Sequence, residues 1–186
     1  MMHAMKTVAK RSTISRAVAG SIILLICSPV WAAASDQSDV RAAVQHIFNQ
    51  LKNGEYDSLY DSLPAAARSR ISRERLVQGL QRTHDNFQLQ RIEIGQVRVS
   101  GNLAVVDTTM YAHVAKPFDA DGKLLVQQYL VREDGSWKVA TGDTATINRF
   151  LESNPSFGRK FPIKRAQAFV YQNDKWVPIP LGQRRS

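Results

Sequence analysis

The chain has 186 residues, a formal net charge of +9 and a sequence pI near 10.0. It is long enough to bury a sizeable core as one domain, and its 44% hydrophobic against 22% charged residues exclude a disordered chain. Its single cysteine, Cys27, excludes an intrachain disulfide, so the fold must be held together by packing alone.

The N-terminal segment, residues 1–34, has the pattern of a secretory signal peptide. Basic residues without any acid precede an apolar run, and small residues of the A-x-A type follow it. Cleavage after Ala32 or after Ala34 fits this pattern. We therefore expect a periplasmic or secreted mature protein that meets the membrane only through its transient leader.

Two alternatives to a cleaved leader stay open. The segment could persist as a membrane anchor, because an apolar span of about 18 residues is near the lower limit for crossing a bilayer. Ser21, Pro29 and the alanine run shorten its strongly apolar part to residues 22–26, however. Cys27 could instead carry a lipid, although the bulky Ile26 stands where lipoprotein sites have a small residue.

Three amphipathic helices are predicted next. In the first, apolar residues recur at helical spacing over residues 40–51, and Gly54 ends it. The second is short, because Pro64 stops it. The third has Ser72 as its N-cap and contains Gly79, which suggests that another element approaches closely there. The residues of this third segment expected to face the core are Leu76, Val77, Leu80 and Phe87.

After Phe87 the apolar period falls from 3.6 to about 2, which predicts antiparallel strands. The first hairpin turns at Gly101, where a positive φ is needed, and the second turns at Asp134-Gly135. A brief helix ending at Pro155 follows, and a last short hairpin turns at Asn173-Asp174.

The positive charge lies at the two ends of the chain. Residues 35–155 have nearly balanced charges, whereas residues 156–186 have seven lysines and arginines against one acid, Asp174. This basic extension suits an anionic envelope surface or an acidic partner, or it is a solvated C-terminus. No recognition motif for nucleic acid is present, and we expect no such partner.

Helices followed by antiparallel strands indicate an α+β fold. The stretches "LKNGEYDSLYDSLP", "SRERL" and "DGSWKVATGD" resemble the nuclear-transport-factor-2-like superfamily, whose cystatin-like cone also includes ketosteroid isomerase and the SnoaL-like cyclases. The resemblance covers roughly residues 39–146. It implies a cone-shaped domain over residues 35–155, with three N-terminal helices packed on a curved antiparallel sheet. The extension 156–186 would join the same domain through its hairpin.

The resemblance also implies a pocket between the helices and the concave face of the sheet. Such a pocket holds an apolar ligand, hosts an acid/base pair or is filled with side chains. By this resemblance, Tyr60 and Tyr111 are the groups expected near its polar end. A homodimer through the sheet is expected as well, because sheet-mediated dimers are common in the superfamily.

Asp107 is the single carboxylate in the strand "LAVVDTTMYAHV". Strand alternation puts it on one face with Tyr111 and puts a smaller, more apolar set on the other, so we expect Asp107 to point away from the core. If its face lines a pocket instead, burial would raise the pKa of Asp107 and let it remove a proton next to a carbonyl. In the tight-turn register, the facing pairs are Gln96–Asp107, Ile94–Thr109 and Ile92–Tyr111.

These observations predict an exported domain that binds an apolar small molecule or an envelope protein without turning it over. The alternative is a small isomerase or cyclase-like enzyme with Asp107 as general base and Tyr111 or Tyr60 as hydrogen-bond donor. The histidines of the mature chain lack metal-ligand spacing, and neither a phosphate-binding glycine loop nor a G-x-S-x-G motif occurs. We therefore expect neither a metal nor a cofactor.

Overall fold

The computed structural model describes residues 30–140 and 144–181, with side chains from residue 35 onward. The body of the predicted leader, including Cys27, lies outside these residues. None of the helices in the described ranges has the length and apolar character needed to cross a bilayer. The candidate cleavage positions Ala32 and Ala34 lie in the first turns of a helix that begins at Val30.

The described residues form six helices and six strands. The helices are α1 (Val30–Asn53), α2 (Tyr56–Asp61), α3 (Ala65–Arg68), α4 (Arg73–His84), α5 (Thr144–Ser153) and α6 (Pro155–Lys160). The strands are β1 (Phe87–Ser100), β2 (Leu103–Val114), β3 (Ala120–Glu133), β4 (Ser136–Val139), β5 (Gln167–Gln172) and β6 (Lys175–Ile179). The chain is therefore α+β, as expected.

The number and arrangement of the helices differ from the prediction. Four helices, not three, precede the sheet, and α6 follows α5, the brief helix predicted before Pro155. Both unexpected helices begin at a proline, since Pro64 is the N-cap of α3 and Pro155 opens α6. Proline ends a helix that precedes it but suits the first turn of the next one, because no backbone N–H is needed there.

All six strands belong to one antiparallel sheet, in the order β1-β2-β3-β5-β6, with β4 paired to another part of β3. Gly101 has φ 60°, as its turn requires. The residue pairs Asp134-Gly135 and Asn173-Asp174 also have positive φ at their predicted turns. Because β5 pairs with β3, the last hairpin continues the sheet.

Different helices cover the two faces of the sheet. The first buried cluster joins α1 to the sheet and consists of Val40, Val44, Val97, Ala104, Val106, Leu130, Trp137 and Val139. The second consists of Val105 and Tyr129 of the sheet, Ile147 of α5 and Phe157 of α6. Asp107 alternates with Val106 and therefore projects from the face opposite α1. The chain's own C-terminal helices cover part of that face.

Two bulges in β1 change the predicted register. Pairing near the turn is as expected, but a shift between Ile94 and Val97 sets Gly95 and Gln96 against Asp107 alone. The predicted pairs Ile94–Thr109 and Ile92–Tyr111 are therefore wrong. Beyond the bulge, the observed pairs are Ile94–Thr108, Glu93–Thr109, Ile92–Met110 and Arg91–Tyr111. The second shift lies between Leu89 and Arg91.

Two cations of α1 bind carbonyl groups at these bulges. Arg41 donates to the carbonyl oxygens of Ile94 and Gly95, each at 2.8 Å. Lys52 donates to the carbonyl oxygen of Gln90, also at 2.8 Å. Since β1 is an edge strand, these bonds fix the helix along one border of the sheet.

Helix α4 is more exposed than expected. Ser72 caps it as predicted, its hydroxyl accepting from the backbone N–H of Arg75 at 3.3 Å. However, α4 has no fully buried residue, and Phe87 belongs to β1 and is 49% exposed. The prediction that another element approaches Gly79 closely is also wrong, because a Cβ at this position would have no neighbour within 4 Å.

We expect Gly79→Ala to raise the free energy of unfolding by about 0.5–1 kcal/mol, because alanine favours the helix and restricts the unfolded chain. Denaturant unfolding followed by far-UV circular dichroism measures this. Gly95→Ala is the control that should destabilise, since its Cβ would lie 3.0 Å from the carbonyl oxygen of Asp107. A less stable Gly79→Ala protein would contradict the prediction.

Candidate functional site

Asp107 is held by donors from three separate parts of the chain. Its Oδ1 accepts from Arg98 Nη2 of β1 at 2.8 Å and from Gln127 Nε2 of β3 at 3.2 Å. Its Oδ2 accepts from Lys164 Nζ, on the segment between α6 and β5, at 3.0 Å. Both carboxylate oxygens are thus engaged.

These contacts set the protonation of Asp107. Partial burial by itself raises its pKa, but the hydrogen bonds from Arg98, Lys164 and Gln127 outweigh burial and hold the pKa below its usual value. Asp107 is therefore ionised at neutral pH and is a weak base. A general base requires the opposite shift.

Gln127 extends the contacts of Asp107 into the core. It is 5% exposed, and its Oε1 accepts from the hydroxyl of Tyr129 at 3.0 Å and from the backbone N–H of Lys164 at 2.7 Å. Burial raises the pKa of Tyr129, so its hydroxyl stays protonated and donates. We call Arg98, Asp107, Gln127, Tyr129 and Lys164 the strap network, because together they fasten residues 161–166 to the sheet.

A groove of about 410 Å³ lies beside the strap network. Strand register sets four of its lining residues side by side across the sheet: Glu93, Thr109, Leu125 and Gln167. Asp107 and Gln127 form the next row, and Lys164 and Arg165 line the groove from the strapped segment. The depression lies over Thr109 and Leu125, between these two neighbouring rows.

The row on the other side of the groove is aromatic and cationic. The register places Arg91, Tyr111, Lys123 and Phe169 side by side there. The guanidinium of Arg91 stacks 3.4 Å from the centroid of the Tyr111 ring, and the Tyr111 hydroxyl donates to Glu93 at 3.1 Å. A hydrogen bond from Arg91 lowers the pKa of Glu93, so this carboxylate is also ionised and paired.

Among the described residues, one cation that lines the groove is unpaired. Glu93 pairs with Arg91, and Asp107 pairs with Arg98 and Lys164. Arg165 lines the groove, is exposed, and forms no ion pair or hydrogen bond within the described parts of the chain. Arg165 therefore gives the groove a cation that no described carboxylate neutralises.

The three residues predicted for the site do not converge. Asp107 lines the groove, and Tyr111 lies one row away with its hydroxyl already engaged by Glu93. Tyr60, on α2, is engaged elsewhere: its hydroxyl donates to the carbonyl of Arg68 at 3.2 Å, and its ring lies 4.6 Å from the Arg73 guanidinium. Only Asp107 of the three belongs to the groove lining.

Sequence reasoning missed the partners of Asp107. Arg98 could have been found, because the hairpin register places it opposite Val105 and therefore diagonal to Asp107. Gln127 follows only from the register of β3, and Lys164 lies 57 residues from Asp107 with no local signal.

The space between α1 and the sheet is almost filled. The cavity there measures about 40 Å³ and is lined mainly by apolar side chains of α1, including Ile47 and Phe48, and by Ile92 and Met110 of the sheet. Pockets for drug-sized ligands measure about 300–1,000 Å³. The resemblance allowed a pocket with an apolar ligand, an acid/base pair or side chains. This space is filled with side chains.

No protein-family profile matches the chain, and no curated protein sequence matches it. A solved SEC-C motif containing protein from Rhodopseudomonas palustris is 9% identical, with 62% of this chain and 85% of that chain covered and a TM-score of 0.47. An LEH-like epoxide hydrolase from M. tuberculosis is 14% identical, with 67% and 98% covered and a TM-score of 0.39. At these TM-scores neither likeness identifies a fold family or an activity for this chain.

Proposed function

We propose that this protein is an exported, non-catalytic binding domain whose ligand site is the groove over Thr109 and Leu125. Its ligand is a small molecule with a carboxylate at one end and a short apolar body. The observation that carries the proposal is Arg165, a guanidinium in the groove lining without a partner among the described residues, whereas both carboxylates of the lining are paired. Export rests on the leader pattern of residues 1–34.

The lining of the groove matches such a ligand. A guanidinium binds a carboxylate through two parallel hydrogen bonds, and the exposed ammonium of Lys164 lies next to it in the chain. Leu125 offers apolar contact at the floor, and Thr109 and Gln167 offer a hydroxyl and an amide. The nearly filled interior beneath α1 favours this polar groove over the apolar ligand that we first expected.

The isomerase alternative lacks comparable support. Asp107 has a lowered pKa and two occupied oxygens, so it is poorly suited to accept a proton. Tyr111 donates its hydroxyl proton to Glu93 and does not offer it to the groove. The same contacts suit a structural role for Asp107 in a binding domain.

We expect short carboxylates such as butyrate and succinate to bind the groove, while their uncharged amides do not. Titration followed by backbone NMR shifts measures affinity and locates the bound molecule. Arg165→Gln should weaken binding at least tenfold, because a hydrogen bond to a charged group contributes about 1.5–3 kcal/mol. Thr109→Trp should abolish binding by filling the groove.

Gln88→Trp is the matched control, because Gln88 is exposed near the start of β1, on the same sheet face, and does not line the groove. It should bind carboxylates as the parent does. Equal affinity for carboxylates and amides, or full binding by a folded Thr109→Trp protein, would show that the site is wrong.

A further inference from the structure

The hairpin of β5 and β6 presents aromatic side chains on one face. In its register Phe169 faces Pro178 and Tyr171 faces Trp176, whereas Val170 on the other face is 1% exposed. We call Phe169, Tyr171, Trp176, Pro178 and the following Leu181 the hairpin aromatic face. Tyr171 is 41% exposed and Leu181 is 45% exposed. Large apolar groups therefore meet solvent at both ends of this face.

The described helices leave this face uncovered. The strands β5 and β6 contact mainly β3 and each other, and none of the aromatic residues of the face belongs to either buried cluster. The rings instead pack on one another, with 5.2 Å between the centroids of Tyr171 and Trp176. Phe169, Pro178 and Leu181 line an open depression of about 780 Å³.

Cations are interspersed with these rings. Lys123 Nζ lies 4.4 Å from the Trp176 ring and 5.1 Å from the Phe169 ring, and Arg165 lines the same depression as Leu181. In the sequence, residues 156–186 hold seven basic residues against the single acid Asp174. The surface is thus aromatic and positively charged.

We propose that the hairpin aromatic face binds the surface of an anionic lipid bilayer. Tyrosine and tryptophan combine an apolar ring with a polar tip, which suits the boundary between headgroups and acyl chains. Lysine and arginine near that boundary are attracted to anionic headgroups. The depression at Leu181 accommodates the part of an acyl chain nearest the headgroup, and Arg165 beside it binds the phosphate. Arg165 also lines the groove, but no residue of the hairpin aromatic face does, so this proposal does not depend on the groove ligand.

Co-sedimentation of the full chain, in the form that its cells produce, with two kinds of vesicle tests the proposal. One kind contains equal parts of phosphatidylglycerol and phosphatidylcholine, and the other contains phosphatidylcholine alone. We expect at least tenfold stronger partition onto the anionic vesicles, and this preference should be lost at high salt. Lys123→Gln should reduce the partition about fivefold, because the Lys123 ammonium lies against the Trp176 and Phe169 rings of the face.

The double variant Tyr171→Ser/Leu181→Ser should reduce partition at least tenfold, because it removes the exposed apolar groups of the face. Phe87→Ser is the matched control, since Phe87 is 49% exposed on the opposite edge strand. It should bind as the parent does, and circular dichroism verifies that all variants are folded. Equal partition onto both vesicles, unchanged binding by the double variant, or binding to polyglutamate without binding to vesicles would overturn the proposal.

Discussion

Replacing Gln127 by leucine is expected to lower the free energy of unfolding by about 2–4 kcal/mol. The substitution keeps the side-chain size but removes the oxygen that accepts from the Tyr129 hydroxyl and from the backbone N–H of Lys164. Tyr129 is 0% exposed, so its hydroxyl finds no water in place of the lost acceptor. Denaturant unfolding at neutral pH measures the change.

Gln88→Leu is the control for this substitution, because Gln88 is exposed and the same chemical change should cost within about 0.5 kcal/mol. A loss for Gln127→Leu as small as that of the control would mean that the strap network does not contribute to stability. The proteolysis of native protein gives a second measurement, since the loosened segment 161–166 should be cut faster.

The second large effect is expected for Asp107→Ala, at about 2–3 kcal/mol of destabilisation. This change leaves Arg98, whose side chain is 19% exposed, without its carboxylate partner and releases Lys164. Lys164 remains 62% exposed and regains water, so most of the loss comes from Arg98. Glu152→Ala removes the same charge from an exposed position on α5 and should have little effect.

The same carboxylate gives the stability a defined pH dependence. Because the folded-state pKa of Asp107 is lowered, its contribution is complete above the unfolded-state pKa of about 3.9. The contribution is lost as the pH falls through the lower folded-state value. The stability difference between the parent and Asp107→Asn should therefore be largest at neutral pH and shrink below about pH 4. A difference that grows in acid would contradict this assignment.

Elements defined by local pattern could be predicted from the sequence. The first helix follows from its apolar stripe, and the hairpin turns follow from Gly101, Asp134-Gly135 and Asn173-Asp174, where the backbone needs positive φ. The bulges in β1 could not be predicted, because Gly95 fits a regular strand as well as a bulge until Arg41 of α1 binds its carbonyl. This hydrogen bond joins residues 54 apart in the sequence, so no local pattern around Gly95 indicates the bulge.

In the candidate site, too, local pattern predicts some features, whereas contacts with distant residues decide others. Alternation predicted which way Asp107 points, but its chemistry depends on what covers that face. Lys164 arrives from beyond the sheet and makes the lone carboxylate one member of a paired network, beside a groove that Arg165 also lines. No periodicity within β2 carries that information, so the sequence left open both a base and a surface residue.

The two anchors of α1 also limit how that helix can move. Arg41 and Lys52 are eleven residues apart on a helix, a rise of about 16 Å. The carbonyls that they bind are four to five residues apart on β1, a distance of about 15 Å. Sliding the helix by one turn would break both attachments at once and leave neither cation opposite a bulge. The two attachments therefore fix the position of α1 along β1. Gradual sliding of α1 cannot enlarge the small cavity beneath it into a ligand pocket.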